Sequence, residues 1–320
     1  MGENQFPEFL LSSIGDEEDE DYTRGYEAWL IDGDTFIPTT KSELILPAGY
    51  FGVKYHHTYD KYVLKRMTIL AEELLKLPDN SYQDILDDIA KFWKSQDLYK
   101  KYNYVYKRAI LLYGIPGCGK SSIITMLADE LIKNHNGIVI NLKQAEDIES
   151  FDEIMNPIRE IEPDRKIITF IEDIDNFITK DNLSLQSKLL NILDGKLQYD
   201  NMVVIATTNH PEVLEDSVTK RPSRFNLRKE IRPPRANVRE YYIKNKTKKG
   251  DLTKAEIDNW VKLTKGFTID HIKELVLAVF LLGYKFDDAY AAIKEMTTAS
   301  ILKNTLNTGG SGFHFGKDED

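Results

Sequence analysis

Residues 108–133 read RAILLYGIPGCGKSSIITMLADELIK, and this stretch decides the fold. Its first six residues form an apolar run that predicts a buried strand, and its last fourteen have the periodicity of a helix. Between them, GIPGCGKS at 114–121 matches the pattern G-x-x-x-x-G-K-[ST]. Because the pattern lies between a predicted strand and a predicted helix, it indicates a loop that binds phosphate groups.

The predicted phosphate loop assigns roles to its residues. Its backbone N–H groups close around the phosphates of a nucleotide, and the positive end of the following helix adds to the attraction. Lys120 would reach the β- and γ-phosphates, and the Ser121 hydroxyl would bind Mg²⁺, so we predict ATP and Mg²⁺ as cofactors. The same helix end is expected to lower the pKa of the Cys118 thiol, with a packed and inert side chain as the alternative. The predicted nucleotide-binding residues are Gly114, Ile115, Pro116, Gly117, Cys118, Gly119, Lys120, Ser121 and Ser122.

The chain around this loop alternates between apolar runs and helical stretches. The runs that follow are GIVINL, KIITFIE, NMVVIATTN and LRKEIRP. Strands that alternate with helices of about 10–15 residues predict a parallel sheet with helices on both faces. The predicted fold class is α/β, a Rossmann-like P-loop parallel sheet with a small C-terminal helical lid and a short N-terminal β/α segment.

Two acids follow the strand in ITFIEDID, residues 168–175. In P-loop nucleotide hydrolases the first carboxylate at such a strand end holds Mg²⁺, and a second polarises the attacking water. Glu172 is therefore the predicted metal ligand together with Ser121, and Asp173 is the predicted catalytic carboxylate. The usual order is Asp then Glu, so the exchanged order fits either a working ATPase or a nucleotide-binding protein without hydrolysis. Solvated acids that merely end a strand are a further alternative.

Polar and cationic residues follow further along the chain. Asn209 ends the strand NMVVIATTN, where it either holds the attacking water or γ-phosphate or serves as a turn residue. Arg221 and Arg224 come next, and a cation that reaches the γ-phosphate of a neighbouring subunit accelerates its transfer. Residues 221–249 hold eleven Lys and Arg against two Glu. A plain basic surface and a contact with a polyanion therefore remain alternatives.

This order of motifs resembles the AAA+ ATPases, specifically the classical AAA group, over residues 79–305. Within that group it is similar to the mitochondrial chaperones that translocate the Rieske iron–sulfur protein. The matching elements are FWKSQDLYKKYNY at 92–104, LLNILDG at 189–195, TTNH at 207–210 and RPSR at 221–224. That subgroup also has Glu before Asp after the third strand, so the resemblance favours a working ATPase.

The resemblance implies further roles and an assembly. It makes Asn209 the sensor-1 residue and Arg224 a finger that acts on the ATP of a neighbouring subunit, in a homo-oligomeric ring expected to be a hexamer. The position of a second finger falls on Leu227, so Arg224 acts alone unless Arg221 or Arg228 assists it. The predicted catalytic residues are Asp173, Asn209, Arg224 and Lys120.

Composition and motifs together divide the chain into five predicted segments. They are a disordered acidic tail at 1–25, a small N-terminal adaptor segment at 26–78, an AAA+ α/β nucleotide-binding core at 79–234, a helical lid at 235–306 and a flexible tail at 307–320.

Charge and cysteine content bear on the location of the protein. The net charge of −10 comes mainly from the two acidic ends, which leaves the body close to neutral. Cys118 is the only cysteine, which is typical of a reducing environment. No signal peptide is visible, and the longest apolar stretch, 275–282, is too short to span a membrane. We therefore expect a soluble cytoplasmic protein without a membrane partner.

These observations predict Mg²⁺-dependent ATP hydrolysis by a ring that remodels, assembles or translocates a macromolecule. A protein substrate is expected rather than a nucleic acid. The loop NLKQAEDIESF lacks the aromatic–aliphatic–Gly trio that grips threaded polypeptide, so the substrate of the relatives cannot be carried over. Two alternatives stay open, a nucleotide-gated binding module with little hydrolysis and a loader ATPase that acts on DNA.

Overall fold

The structure is a computed structural model. It describes residues 28–39, 45–57, 59–68, 74–79, 81–178, 182–194, 199–214, 221, 223–248 and 250–307. The predicted tail at 1–25 and all but the first residue of the predicted tail at 307–320 lie outside these ranges. The strands are β1 Ala28–Asp32, β2 Thr35–Thr39, β3 Gly49–His56, β4 Lys61–Met67, β5 Lys107–Tyr113, β6 Ile138–Leu142, β7 Ile167–Ile171, β8 Met202–Thr208 and β9 Leu227–Glu230. The helices are α1 Ser81–Trp93, α2 Gln96–Lys101, α3 Lys120–His135, α4 Ala145–Glu149, α5 Phe151–Ile161, α6 Leu183–Asp194, α7 Ala236–Lys246, α8 Lys254–Leu263, α9 Ile269–Phe280 and α10 Phe286–Asn307.

The strands form one sheet in the order β1-β2-β4-β3-β6-β7-β8-β5-β9. From β3 to β9 in this order all neighbouring strands are parallel, which confirms the predicted parallel α/β sheet. The pair β3–β4, on the other side of β3, is antiparallel. Helices cover both faces, so alternate residues of a central strand enter different cores. In β5, Ala109 and Leu111 pack on one side of the sheet, and Ile110 and Leu112 pack on the other.

The predicted N-terminal adaptor segment is not separate from the core sheet. Its four strands are antiparallel to one another, but β3 pairs in parallel with β6, from Gly49 opposite Ile138 to Gly52 opposite Asn141. We call β1–β4 the sheet extension. Trp29 belongs to the same buried cluster as the core helices α5 and α6. The boundary predicted at residue 78 therefore does not divide the sheet.

The helices after residue 235 pack around a core of their own. This core contains Trp260, Ile272 and Leu275, which are almost completely buried. It lies in the region 235–306 that the sequence predicts as a lid; that role stays a prediction, and the name lid is kept here as a label. The region contacts the phosphate loop where the Asp270 N–H donates to the Gly117 carbonyl at 3.1 Å. Across the described ranges, this region included, no helix combines the length and apolarity that crossing a bilayer requires.

Candidate active site

The loop between β5 and α3 passes so close to neighbouring atoms that two of its positions require glycine. Gly114 has φ of 146°, and a Cβ there would lie 2.2 Å from the carbonyl oxygen of Ile231. Gly117 has φ of 81°, and a Cβ there would lie 2.7 Å from Oγ1 of Thr268 in the lid. L-residues with side chains rarely adopt such φ values, so both positions need glycine for conformation and for space.

Lys120 occupies the centre of the loop. Its side chain is buried, and Nζ donates to the carbonyls of Gly114 at 2.7 Å and Ile115 at 3.1 Å. Nζ also donates to Oδ1 of Asn209 at 2.6 Å. Burial lowers the pKa of Lys120, while the negative charges around it, among them Asp173, oppose that shift. The predicted phosphate-binding lysine and the predicted sensor residue are thus in direct contact.

The two acids after β7 bind different partners. Oε2 of Glu172 accepts a hydrogen bond from Oγ of Ser121 at 3.0 Å, which brings the two predicted metal ligands together. Oδ1 of Asp173 accepts from Nδ2 of Asn209 at 3.0 Å. Asp173 has a left-handed backbone, with φ 48° and ψ 55°. The structure therefore places one acid on the serine side of the loop and the other in a chain with Asn209 and Lys120.

Four residues that were not predicted as site residues make hydrogen bonds around this chain. The backbone N–H of Asp173 donates to Oγ1 of Thr207 at 3.1 Å. Oγ1 of Thr208 donates to Oδ1 of Asp175 at 2.6 Å and accepts from the backbone N–H of His210 at 2.9 Å. In the sequence, the polar run TTNH at a strand end indicates that these side chains lie near the site. It does not indicate their hydrogen-bond partners, because those come from the neighbouring strand.

The predicted effect of the helix end on Cys118 is wrong. Burial raises the pKa of the Cys118 thiol to about 12, while the charge of Lys120 opposes the shift. Cys118 is buried at 5% exposure, in the core cluster beneath the loop. Because desolvation disfavours a thiolate more than the helix end favours it, this cysteine is not an activated nucleophile.

The predicted arginine finger lies in an ion pair of its own chain. Arg224 is 5% exposed, and its Nε and Nη2 donate to Oδ1 and Oδ2 of Asp194 at 3.0 Å each. Asp194 is the last residue of α6. Arg221 and Arg228, the possible assistants, are both exposed. The role of Arg224 toward a neighbouring subunit stays a prediction.

A cleft next to the phosphate loop was not foreseen. It encloses about 100 Å³ beside Cys118 and Ser122. Its other walls are the segment 74–79 and the lid residues Tyr242 and Asp270. These walls come from three distant parts of the chain, so no local pattern in the sequence could have indicated them.

The oxygen ligands near the loop suit a Mg²⁺ ion that is bound together with a nucleotide. They do not suit a metal ion that protein groups alone would hold. The Ser121 hydroxyl and the Glu172 carboxylate supply two hard oxygen ligands side by side. Mg²⁺ in nucleotide sites takes one or two protein oxygens and completes its shell with phosphate oxygens and water. Within the described ranges there is no group of three His, Cys, Asp or Glu residues that could hold a metal ion unaided.

Comparison with known proteins shows what this part of the chain is similar to. Residues 110–233 match the AAA family, described as the ATPase family associated with various cellular activities. The mitochondrial chaperone BCS1 of Danio rerio is 34% identical over 161 residues, which are 46% of this chain and 37% of that protein. The human protein of the same name is 31% identical over 170 residues, 49% of this chain and 36% of the relative. Cell division protein C of Sulfolobus acidocaldarius is 27% identical over 226 residues, 64% of this chain and 60% of the relative.

These relatives correct the predicted location. Proteins that match about half of this chain are named mitochondrial chaperones, which contradicts the cytoplasmic location expected from the sequence. The prediction was wrong because a single cysteine indicates a reducing environment, which is not unique to the cytoplasm. The match also spans little more than a third of the length of these chaperones.

Proposed function

We propose that this chain, whose residues 110–233 are a domain of the AAA ATPase family, hydrolyses ATP with Mg²⁺ and acts on a macromolecular partner. One observation carries the proposal. Lys120, the pair Ser121–Glu172 and the pair Asp173–Asn209 lie together at the carboxyl edge of the parallel sheet. Ligands of open α/β sheets bind at that edge.

The phosphate loop would hold the triphosphate. In the structure, Nζ of Lys120 donates to the loop carbonyls of Gly114 and Ile115 and to Asn209. Phosphate oxygens carry more negative charge than carbonyl oxygens, so they would replace these acceptors when ATP binds. Asn209 would then be free to turn its amide toward the γ-phosphate or the attacking water.

Ser121 and Glu172 would hold Mg²⁺ beside the bound triphosphate. When bound, the ion neutralises the negative charge that develops on the phosphate oxygens. Glu172 contributes its carboxylate to this position, and the hydrogen bond from Ser121 fixes the spacing of the two ligands. Asp173 would accept a hydrogen bond from the attacking water, oriented by the amide of Asn209.

The cleft between the loop, the segment 74–79 and the lid would hold the base and ribose. Its walls combine apolar residues such as Leu75 and Ile231 with polar groups such as Asp79. Ligand sites usually have this composition of apolar walls with a few polar groups that fix orientation. Because the lid forms one wall, nucleotide binding would tie the lid to the core.

Assembly and substrate are inferred from relatives. We propose a ring in which Arg224 of one subunit acts on the ATP of the next, with the pair to Asp194 opening on assembly. Several relatives are named chaperones, which favours a protein substrate. Segments of the chain outside the AAA match, the sheet extension among them, would choose that substrate.

The competing function is a nucleotide-gated binding module that does not hydrolyse ATP. The exchanged order of Glu172 and Asp173 favours it, because the shorter Asp stands where a longer Glu is usual. Phosphate release by the purified protein with Mg²⁺ and ATP separates the two. We expect steady release, with Lys120→Ala failing to bind a fluorescent ATP analogue. ATP binding by the wild type without any phosphate release would establish the binding module instead.

A further inference from the structure

Tyr50, on β3 of the sheet extension, lies close to the predicted metal site. The parallel pairing of β3 with β6 sets Tyr50 opposite Val139. The Tyr50 ring packs against the cluster on the α1 and α3 side of the sheet, with its centroid 6.4 Å from that of Phe170. Phe170 lies two residues before Glu172 on the chain. A side chain of the extension thus crosses β6 and reaches the strand that carries the acids.

The Tyr50 hydroxyl is fixed by one hydrogen bond and has a proton left to donate. Nδ2 of Asn141, a buried residue of β6, donates to Oη of Tyr50 at 2.6 Å. Oη accepts in this bond, so its own O–H needs a separate acceptor. Among the residues that the structure describes, no acceptor receives it. Oδ1 of Asn141 is also buried without a partner in this part of the chain.

Glu172 follows Phe170 by two residues at the end of β7, so the period-two alternation of a strand places its side chain on the same face of the sheet as the Tyr50 ring. In this structure no hydrogen bond joins the Tyr50 hydroxyl to Glu172. Burial and then the negative charge of Glu172 raise the pKa of Tyr50 to about 12, while the hydrogen bond from Asn141 opposes the shift. Tyr50 therefore stays neutral and remains a donor. On Glu172, Oε2 accepts from Ser121, whereas Oε1 has no partner within the described ranges. A free donor and a half-satisfied carboxylate thus lie in the same neighbourhood.

We propose that Tyr50 is a positioning residue: when Mg²⁺ and nucleotide bind, its hydroxyl donates to Glu172 and holds that carboxylate in the orientation that binds the ion. The inference rests on the proposed metal role of Glu172. Partners that hydrogen-bond to a metal ligand orient it and raise metal affinity. Because Tyr50 belongs to the sheet extension, the arrangement couples the extension directly to the nucleotide site.

The variant Tyr50→Phe tests the proposal because it removes only the hydroxyl. The measurement is the Mg²⁺ concentration that gives half-maximal binding of a fluorescent, non-hydrolysable ATP analogue. We expect this concentration to rise about 10-fold, with analogue affinity in the absence of Mg²⁺ unchanged. The melting temperature will fall somewhat because Asn141 loses its acceptor, so Mg²⁺ dependence, and not stability, decides the outcome.

Tyr62→Phe is the matched control. Tyr62 lies on β4 of the same extension but packs against the cluster on the opposite face of the sheet. The variant Tyr62→Phe should leave the Mg²⁺ requirement unchanged. An unchanged requirement in folded Tyr50→Phe would overturn the inference while leaving the proposed ATPase function intact. Analogue binding that does not depend on Mg²⁺ even in the wild type would instead overturn the metal role of Glu172, and the inference with it.

A double-mutant cycle shows whether Tyr50 acts through Glu172. In the background of Glu172→Gln, the carboxylate that Tyr50 is proposed to orient is gone. Tyr50→Phe should then add less than about 2-fold to the Mg²⁺ requirement, because the two changes remove the same interaction. A full additional 10-fold rise would show that Tyr50 acts on the metal by another route, and would contradict the proposal.

Discussion

At the end of β7, Glu172 and Asp173 bind groups on different sides of the phosphate loop. Glu172 contacts Ser121 and Asp173 contacts Asn209, each at 3.0 Å. The shorter Asp side chain alone would fall back by roughly 1.5 Å from the place of a Glu carboxylate. The left-handed backbone at Asp173 redirects the side chain, and the bond with Asn209 shows which group it reaches. Asp tolerates this conformation better than most residues do, so the exchanged order comes with a backbone that accommodates it.

Replacing Glu172 tests the metal role at this scale. Glu172→Gln keeps the shape but removes the charge, so the Mg²⁺ concentration needed for half-maximal ATP-analogue binding should rise at least about 10-fold. Binding without Mg²⁺ should persist, since Lys120 and the loop are unchanged. Glu153→Gln, an exposed residue of α5, is the control and should behave as wild type. Equal Mg²⁺ requirements in both variants would remove Glu172 from the metal site.

Arg224 forms an ion pair with Asp194 and is also the proposed finger toward the neighbouring subunit. A variant of Asp194 separates these two roles. Breaking a buried ion pair from either side costs about 3–5 kcal/mol of stability, so Arg224→Ala and Asp194→Asn should both lower the melting temperature. If Arg224 is also a finger, only Arg224→Ala should lose turnover, by at least about 10²-fold, below the usual range for a lost finger. Phosphate release measured per folded protein makes the comparison. Equal turnover losses in both variants would mean that the pair is purely structural.

The contact between the phosphate loop and the lid belongs to the scale of whole elements. Gly117 of the loop meets Thr268 and Asp270 at the start of α9, and the Asp270 N–H donates to the Gly117 carbonyl. Thr268 itself caps α9, since its side chain accepts from the N–H of His271. The start of α9 is therefore joined to the phosphate loop, and we expect a change in the loop to alter the position of α9.

Gly117→Ala should separate the lid from the loop. The added Cβ would lie 2.7 Å from Oγ1 of Thr268, and overpacking of this kind costs about 1–3 kcal/mol. We expect the affinity for an ATP analogue to fall about 10-fold or more. Gly250→Ala is the matched control, because Gly250 also has positive φ, 100°, but has no described atom within 4 Å of the added Cβ. Equal analogue affinity in the two variants would show that the loop–lid contact does not shape the site.

Elements with a local signal could be predicted, and those that depend on distant partners could not. The β5–loop–α3 unit follows from one continuous pattern, and the parallel sheet follows from the alternation of strands and helices. The pairing of β3 with β6 joins Gly49 to Ile138, and no property of either strand alone specifies its neighbour. The thiol of Cys118 shows the same limit, because the helix end is local but the burial that raises its pKa comes from the rest of the fold.

On the scale of the whole molecule, one sheet runs from the extension to the strand beyond the phosphate loop. Within the described ranges the sheet has nine strands, with β1 at one edge and β9 at the other, and the two acids follow β7 near the middle. A partner that binds the extension would therefore act on the same sheet that holds the site. The proposed finger, Arg224, would add a second coupling, which connects the ATP sites of neighbouring subunits.

Mixing two inactive variants tests whether subunits share their sites. Arg224→Ala should keep an intact ATP site, and Lys120→Ala should keep an intact finger. In a mixed ring, an interface that pairs the sound site of one variant with the finger of the other should recover some turnover. We expect phosphate release that rises with mixing and is absent from each variant alone. No recovery from variants that co-assemble, or full activity of monomeric protein, would contradict a shared site.

Hydrolysis by Asp173→Asn, measured as phosphate release, tests most directly whether the exchanged acids form a working site. The amide keeps the size of the side chain and its contact with Asn209, but it cannot polarise water as a carboxylate does. The expected result is an ATP analogue affinity close to wild type, an unchanged assembly state and phosphate release reduced by at least about 10²-fold, a loss of about 2.7 kcal/mol in transition-state stabilisation. Phosphate release by Asp173→Asn at the wild-type rate would contradict the catalytic role assigned to Asp173.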